Sequence, residues 1–283
     1  MKKIAILFLF VILAAVGAVG CGKADEASTS KTLKIGIRGS ESRTWDFVKE
    51  QAQKEGLSIE LVQLNANVNP NTVLLEGDID ANAFQHVAFL DQFNQKNNSE
   101  IVPVGSTIIA PLGIYSDKFK KIEEIPDNAK IAVPNDDSNW GRSLVLLQEA
   151  GLIKVVDNFD GFGGADKIKE NPKHLEIVPV DGATTPRVMK DVAASIINNG
   201  VAVEAGFLLK DSIFHESNTA KPYINIIATT KQNENREDLK KLVEIYQSKA
   251  VSDFITETYK GNYIPTQVTV DELKNFKSAY ASK

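Results

Sequence analysis

Cysteine is almost absent: Cys21 is the only one in 283 residues, so no disulfide can form within the chain. The fold must rest on its own core. Histidine is scarce as well. His86, His174 and His215 stand alone, with no HxH or HExxH spacing. A chain this poor in imidazole and thiol carries no metal-ligand pattern. There is no GxSxG elbow and no GxxxxGK phosphate cradle. The GFGG run at 161–164 lacks the strand–helix context of a dinucleotide loop. Basic charge is not in excess: 32 Lys and Arg stand against 37 Asp and Glu, interspersed, for a net charge of −5. That balance excludes a nucleic-acid-binding face. Nothing in these patterns indicates an enzyme or calls for a cofactor or metal. A long hydrophobic run occurs once, at 4–16, and is too short for a comfortable membrane span.

What that run does belong to is a leader. Lys2 and Lys3 precede it, and Ala18, Val19 and Gly20 follow it. A basic start, an apolar run and small residues make a secretory signal peptide over 1–20. Cys21 directly after it reads as a lipidation site, its thiol taking a diacylglycerol that anchors the chain outside the cytoplasm. Residues 21–31 are polar, small and non-periodic, the composition of a tether.

From residue 32 strand and helix patterns alternate. Strands are expected at 32–37, 58–64 and 81–84, with helices at 44–55, 70–75 and 87–97, then an extended segment over 100–109. The pattern restarts with strands at 130–133, 175–180 and 192–197. Helices lie at 139–150, 186–190 and 201–207, with Asp137 or Ser138 as a cap. A strand at 224–229 and three helices, 237–247, 248–259 and 270–280, finish the chain. Two α/β units of this kind imply two lobes, each a mainly parallel sheet flanked by helices. The expected crossovers are 106–116 and 223–231. Lobe 1 then comprises 32–110 and 228–283, and lobe 2 comprises 111–227. Ligands of such sheets bind at the carboxyl ends of the strands, and lobes joined by thin connections can hinge shut.

Few residues offer chemistry to such a cleft. Arg142 falls in the first turn of the helix opened by Asp136-Asp137-Ser138. A guanidinium there can hold a carboxylate in a bidentate fork, or it can pair with a nearby Asp of the chain. Asn198 ends a strand and Asn225 lies inside one. An amide oxygen accepts from an ammonium without adding charge, although a strand-end Asn is also a common turn residue. Phe84, His86 and Phe89 follow one another from strand end to helix start. They fit the wall of an apolar pocket, and equally ordinary core aromatics with a hydrogen-bonded His.

The segment 77–86, GDIDANAFQH, followed by Phe89-Leu90-Asp91-Gln92, resembles the NLPA lipoprotein family, the methionine-binding lipoproteins of methionine ABC importers. So do 132–147 (AVPNDDSNWGRSLVLL), 151–154 (GLIK), 171–173 (NPK) and 222–227 (PYINII). The resemblance implies a type II periplasmic-binding-protein fold with the ligand in the interlobe cleft. It implies that Arg142 grips the ligand carboxylate, that Asn198 and Asn225 hold its backbone, and that Phe84, His86 and Phe89 line its side-chain pocket. It also implies partners: a small methionine-like amino acid or short peptide, a permease with its ATPase, and the membrane through the lipid. The receptor is expected as a monomer.

Three positions depart from the family pattern. Asn67 stands where a Tyr is common, Ala110 where a bulky residue precedes Pro111, and Trp140 where a smaller residue is usual. All three are expected to border the ligand. They suggest one larger or more polar than methionine, a dipeptide among them. The rival expectations are a surface interaction lipoprotein without a transport role and a metal-binding receptor.

Overall fold

The computed structural model describes residues 32–65, 68–217 and 221–277. The leader 1–20, Cys21 with the tether 21–31, and Asn67 lie outside the described residues.

The first run of elements is β1 (Leu33–Ile37), α1 (Ser42–Lys54), β2 (Ile59–Gln63), α2 (Pro70–Glu76), β3 (Ala81–His86), α3 (Val87–Asn97) and β4 (Ile101–Ile109). The second is β5 (Gly113–Tyr115), β6 (Lys130–Pro134), α4 (Asp137–Glu149), β7 (Lys154–Val155), β8 (Ile168–Glu170), β9 (Glu176–Val180), α5 (Thr185–Val188), β10 (Ala194–Ile197), α6 (Asn199–Glu204) and β11 (Phe214–His215). The chain then returns through β12 (Ile224–Thr230), α7 (Glu237–Tyr246), α8 (Lys249–Tyr259), β13 (Ile264–Pro265) and α9 (Val270–Lys274).

Two main sheets result. One has the order β13-β4-β12-β3-β1-β2, the other β11-β5-β10-β6-β9. The sequence reasons are local. Leu33, Ile35 and Ile37 are buried in β1, and its neighbours run parallel to it because α1 and α2 carry the chain back between strands. Gly77 ends α2 in the left-handed conformation at φ 84°, which costs a glycine nothing. Trp45 and Val48 of α1 pack with Leu239, Leu242 and Tyr246 of α7 on one face of the first sheet. Leu90 and Phe93 of α3 cover the other with Leu273. Leu144 and Leu147 of α4 cover the second sheet.

Three expectations need correction. Each sheet is mixed rather than mainly parallel. β12 pairs antiparallel with both β3 and β4, and β5 pairs antiparallel with β10 and β11. The connecting segments enter their sheets as strands, and a chain that returns from the other lobe runs the opposite way. Second, β12 belongs to the first sheet from Ile224 onward, so the second crossing falls before Ile224 and not after Ile227. Third, α4 is capped by Asp136, whose side chain accepts from the Asn139 N–H. The helix therefore starts at Asp137, and Arg142 sits in its second turn.

Candidate functional site

A cavity of about 1180 Å³ opens between the two sheets, at the carboxyl ends of β1 and β3 on one side and of β6 and β10 on the other. Its polar centre is organised by α4. The Asp136 carboxylate accepts from the Asn139 N–H at 3.0 Å, the Ser138 hydroxyl at 2.7 Å, and the Asn139 Nδ2 at 3.0 and 2.9 Å. A carboxylate only accepts, so the Asn139 amide presents Nδ2 to it and turns Oδ1 to the cavity. That oxygen takes two donors from two elements: His86 Nε2 at 3.2 Å and Asn198 Nδ2 at 2.8 Å.

The same logic fixes His86. It caps α3, its Nδ1 accepting the Phe89 N–H at 3.1 Å. The ring proton therefore sits on Nε2 and is donated to Asn139. Burial and the nearby Arg142 charge push His86 down to about 3, against the opposing pull of the Asn139 bond. It is a neutral donor at physiological pH, not a base in waiting. The Asn198 side chain is fixed in turn. With Nδ2 given to Asn139, its Oδ1 makes no hydrogen bond among the described residues, and the residue lines the cavity. Asn225 stands opposite His86 in the β12–β3 register. It is half-buried, lines the cavity, and its side chain makes no hydrogen bond among the described residues.

Arg142 lines the cavity and is 2% exposed. Both readings of it hold in part. It faces the cleft, yet the carboxylate in its fork is one of the chain's own. Nε donates to Glu216 Oε1 at 2.7 Å and Nη2 to Glu216 Oε2 at 2.5 Å. Nη2 also reaches the Ala110 carbonyl at 3.0 Å, and the guanidinium lies 4.3 Å from the centre of the Tyr223 ring. Asp136, Asn139 and Arg142 recur at intervals of three, so Asn139 and Arg142 share one face of α4.

Trp140 lies on another face of the helix, and its expectation is corrected. It does not line the cavity. It packs against the second sheet's core and against Gly164, where an added Cβ would come within 2.9 Å of the indole. One residue along a helix turns about 100°, which takes Trp140 away from the face that Asn139 and Arg142 present. Ala110 does line the cavity, and its carbonyl helps hold Arg142.

Phe84 and Phe89, both half-buried, meet edge to face at 5.7 Å and supply the apolar wall. Arg38, which the sequence pattern did not single out, stands 5.5 Å from the Phe84 ring. It donates to the carbonyls of Leu64 at 2.9 Å, Val68 at 2.8 Å and Asn65, and so fixes the loop after β2. Burial lowers its pKa. Glu41, in a short 3-10 turn after β1, also lines the cavity. It is 6% exposed, and burial pushes it up to about 7, with the neighbouring Trp45 indole offsetting part of the rise. Among the described residues, no group of three or more His, Cys, Asp or Glu could hold a metal ion, and no helix is long and apolar enough to cross a membrane.

Glu216, Asn139, Tyr223, Arg38 and Glu41 were missed in the sequence. Asn139 had a signal, the repeat of three through Asp136 and Arg142. Glu216 had none: it is 74 residues from its partner.

Comparison with known proteins agrees with this geometry. The family model described as NlpA lipoprotein matches residues 33–267. The D-methionine-binding lipoprotein MetQ of Escherichia coli strain K12 is 40% identical over 269 residues, 91% of this chain and 98% of the relative. Protein PG110 of Staphylococcus aureus has a TM-score of 0.83 at 40% identity, covering 88% of this chain and all of its own. A nutrient binding protein from Burkholderia cenocepacia, solved bound to methionine, has a TM-score of 0.80 at 40% identity, covering 83% of this chain and all of its own. With a fold of two sheets, a cavity between them and a match along most of its length, this chain belongs to the NlpA lipoprotein family.

Proposed function

We propose that the protein is an extracytoplasmic substrate-binding receptor, anchored by lipid on Cys21, that captures methionine or a related amino acid and delivers it to an ABC importer. It acts by binding, as a monomer, and its partners are the permease and its ATPase. One observation carries the reading. Two amide side chains that line the cavity, Asn198 and Asn225, have acceptor oxygens with no partner among the described residues, and they share that cavity with the Arg142 cation and a Phe84–Phe89 wall. A zwitterion needs both polarities within a few ångströms, and a thioether or alkyl side chain needs an apolar wall. The names of the relatives support the same ligand class.

The ligand carboxylate approaches Arg142 from the cavity, while Glu216 holds the guanidinium from behind. The ammonium is received by amide oxygens. Phe84, His86 and Phe89 border the side chain, and Ala110 shapes the space beyond. The lobes close about the segment 110–112, which joins the two sheets.

Isothermal titration tests the reading, with L- and D-methionine, other amino acids and short peptides, alongside mass spectrometry of whatever co-purifies. Arg142→Ala is expected to weaken the best ligand by at least about tenfold, the equivalent of one charge-assisted hydrogen bond. If no amino acid or peptide binds, or if Arg142→Ala binds as the wild type does, the proposal fails.

A further inference from the structure

The cavity extends past the polar centre to Glu41 and Tyr263. Glu41 is 94% buried there, and no Lys or Arg among the described residues pairs with it. Tyr263 lines the cavity with it, and Trp45, Tyr246 and Tyr259 lie in the core of the first sheet. The hydroxyls of Tyr246 and Tyr263 are buried without a hydrogen-bond partner. Native proteins leave few such atoms, and the one that shares the cavity with an unpaired carboxyl calls for an explanation. The rings meet as tilted pairs, Trp45 with Tyr246 at 5.1 Å and Tyr259 with Tyr263 at 4.5 Å.

The placement is adjacent to the head-group region. β1 neighbours β3 in the sheet, so Glu41, four residues past the end of β1, lies beside the strand end that carries Phe84 and His86. From the other lobe comes the first turn of α6. Gly200, two residues past Asn198, lies so close that an added Cβ would stand 3.0 Å from the Ser40 hydroxyl and 3.6 Å from that of Tyr263. Arg38 does not serve this carboxyl, since its guanidinium is directed to the carbonyls of the loop after β2. The acceptors that the cavity residues offer here are the Glu41 carboxyl, the Tyr263 phenol and the face of its ring. That set suits a cation with N–H donors, while an anion would meet a carboxyl and a third ligand for a metal ion is missing among the described residues.

Resting on the proposed amino-acid receptor, we infer that the pocket around Glu41 is a second subsite for a primary ammonium carried by the ligand beyond its carboxylate, whether on a side chain or at a peptide N-terminus.

The test compares ligands that differ only in that ammonium. Ligand-free protein is titrated with methionine, lysine, Nε-acetyl-lysine, alanyl-methionine and N-acetyl-alanyl-methionine, in the wild type and in Glu41→Gln. The wild type is expected to bind lysine or alanyl-methionine at least about tenfold tighter than its acetylated counterpart. The member of the two pairs that shows the difference identifies the source of the ammonium. Glu41→Gln is expected to bring the two members of that pair within about twofold, with methionine affinity unchanged within the same margin. Acetylation without effect in the wild type, where methionine still binds, overturns the subsite alone. Equal weakening of every ligand by Glu41→Gln also overturns it, since that is the mark of a structural role. If no compound binds the wild type, the receptor reading falls and the subsite with it. The acetylation comparison needs no variant, so a folding failure of Glu41→Gln does not block the answer.

Discussion

Replacing Glu216 with Ala removes the carboxylate from the Arg142 fork and leaves a guanidinium that is only 2% exposed. The Ala110 carbonyl and the Tyr223 ring remain against it, but neither carries a countercharge. Breaking a buried pair from one side costs about 3–5 kcal/mol. Near the middle of that range, about 4 kcal/mol lowers the melting temperature by roughly 8–16 °C for a chain of this size. Arg142→Ala is expected to cost about as much. It leaves the Glu216 carboxylate with the Leu112 N–H, 2.8 Å away, in place of a cation. The double variant Arg142→Met, Glu216→Met orphans neither charge, and pairs replaced in this way come out neutral to about 4 kcal/mol more stable. Urea unfolding of the three ligand-free variants at pH 7 measures this, read as shifts in midpoint at constant slope. Two single changes that each cost under about 1 kcal/mol and sum to the double would refute the reasoning. The pair would then be two independent side chains and not a unit that aims Arg142.

Three more outcomes follow from the site. Asn225→Ala is expected to weaken ligand binding by about tenfold or more while leaving unfolding within about 0.5 kcal/mol, because the side chain has no partner to lose among the described residues; a large loss of stability with normal binding would contradict it. Trp140→Ala is expected to do the reverse, costing about 3 kcal/mol of stability with affinity unchanged within about twofold, as titration and urea unfolding can show together. The pH dependence of stability is set by opposed slopes. His86, held down to about 3, adds stability that is fully present above about 6.5 and is lost as pH falls toward 3. Glu41, held up to about 7, adds stability that is fully present below about 4.5 and is lost as pH rises toward 7. Between 4.5 and 6.5 the two cancel, so Glu41→Gln minus wild type should rise by about 1.4 kcal/mol per pH unit across that window. A flat difference curve would show that Glu41 does not hold its proton in the fold.

Much of the fold was legible because the α/β alternation is written in short apolar strands and in caps such as Asn69 with Pro70 and Gly77. The strand pairing was less so. The antiparallel partners of β12 are 115 or more residues away in sequence, and no local pattern records which way a returning chain runs. The site divided in the same way. Asn198, Asn225, Phe84, His86, Phe89 and Ala110 all line one cavity; Asn198, Phe84, His86 and Ala110 do so at or just past strand ends, where such sheets hold ligands. Trp140 was misassigned because its departure from the family pattern was taken for a place at the ligand, while the helix turns it away from the face that Asn139 and Arg142 present. Glu216 and Glu41 were invisible. A carboxylate just past a short edge strand or in a turn reads as solvated until the structure shows it 4% or 6% exposed.

The charges at the polar centre explain why its remaining free acceptors are amides. Arg142 and Glu216 together carry no net charge, and His86 is neutral because its Nδ1 is spent on the Phe89 N–H and burial disfavours its protonation. An amino acid zwitterion adds a carboxylate and an ammonium together and leaves the net charge of the site unchanged. Were Asn198 or Asn225 an ionised carboxylate, the occupied site would hold a further negative charge besides that of Asp136 in a cleft that closes away from water, and such burial is expensive. An amide oxygen accepts the ammonium N–H bonds without that cost. Asn225→Asp therefore separates charge from hydrogen bonding. It keeps an acceptor at nearly the same place, yet it is expected to weaken methionine by at least about tenfold near pH 7.5. That loss should shrink at pH 5, where a buried carboxyl with a raised pKa regains its proton. Equal affinity at both pH values would mean that charge balance plays no part in how this site receives its ligand.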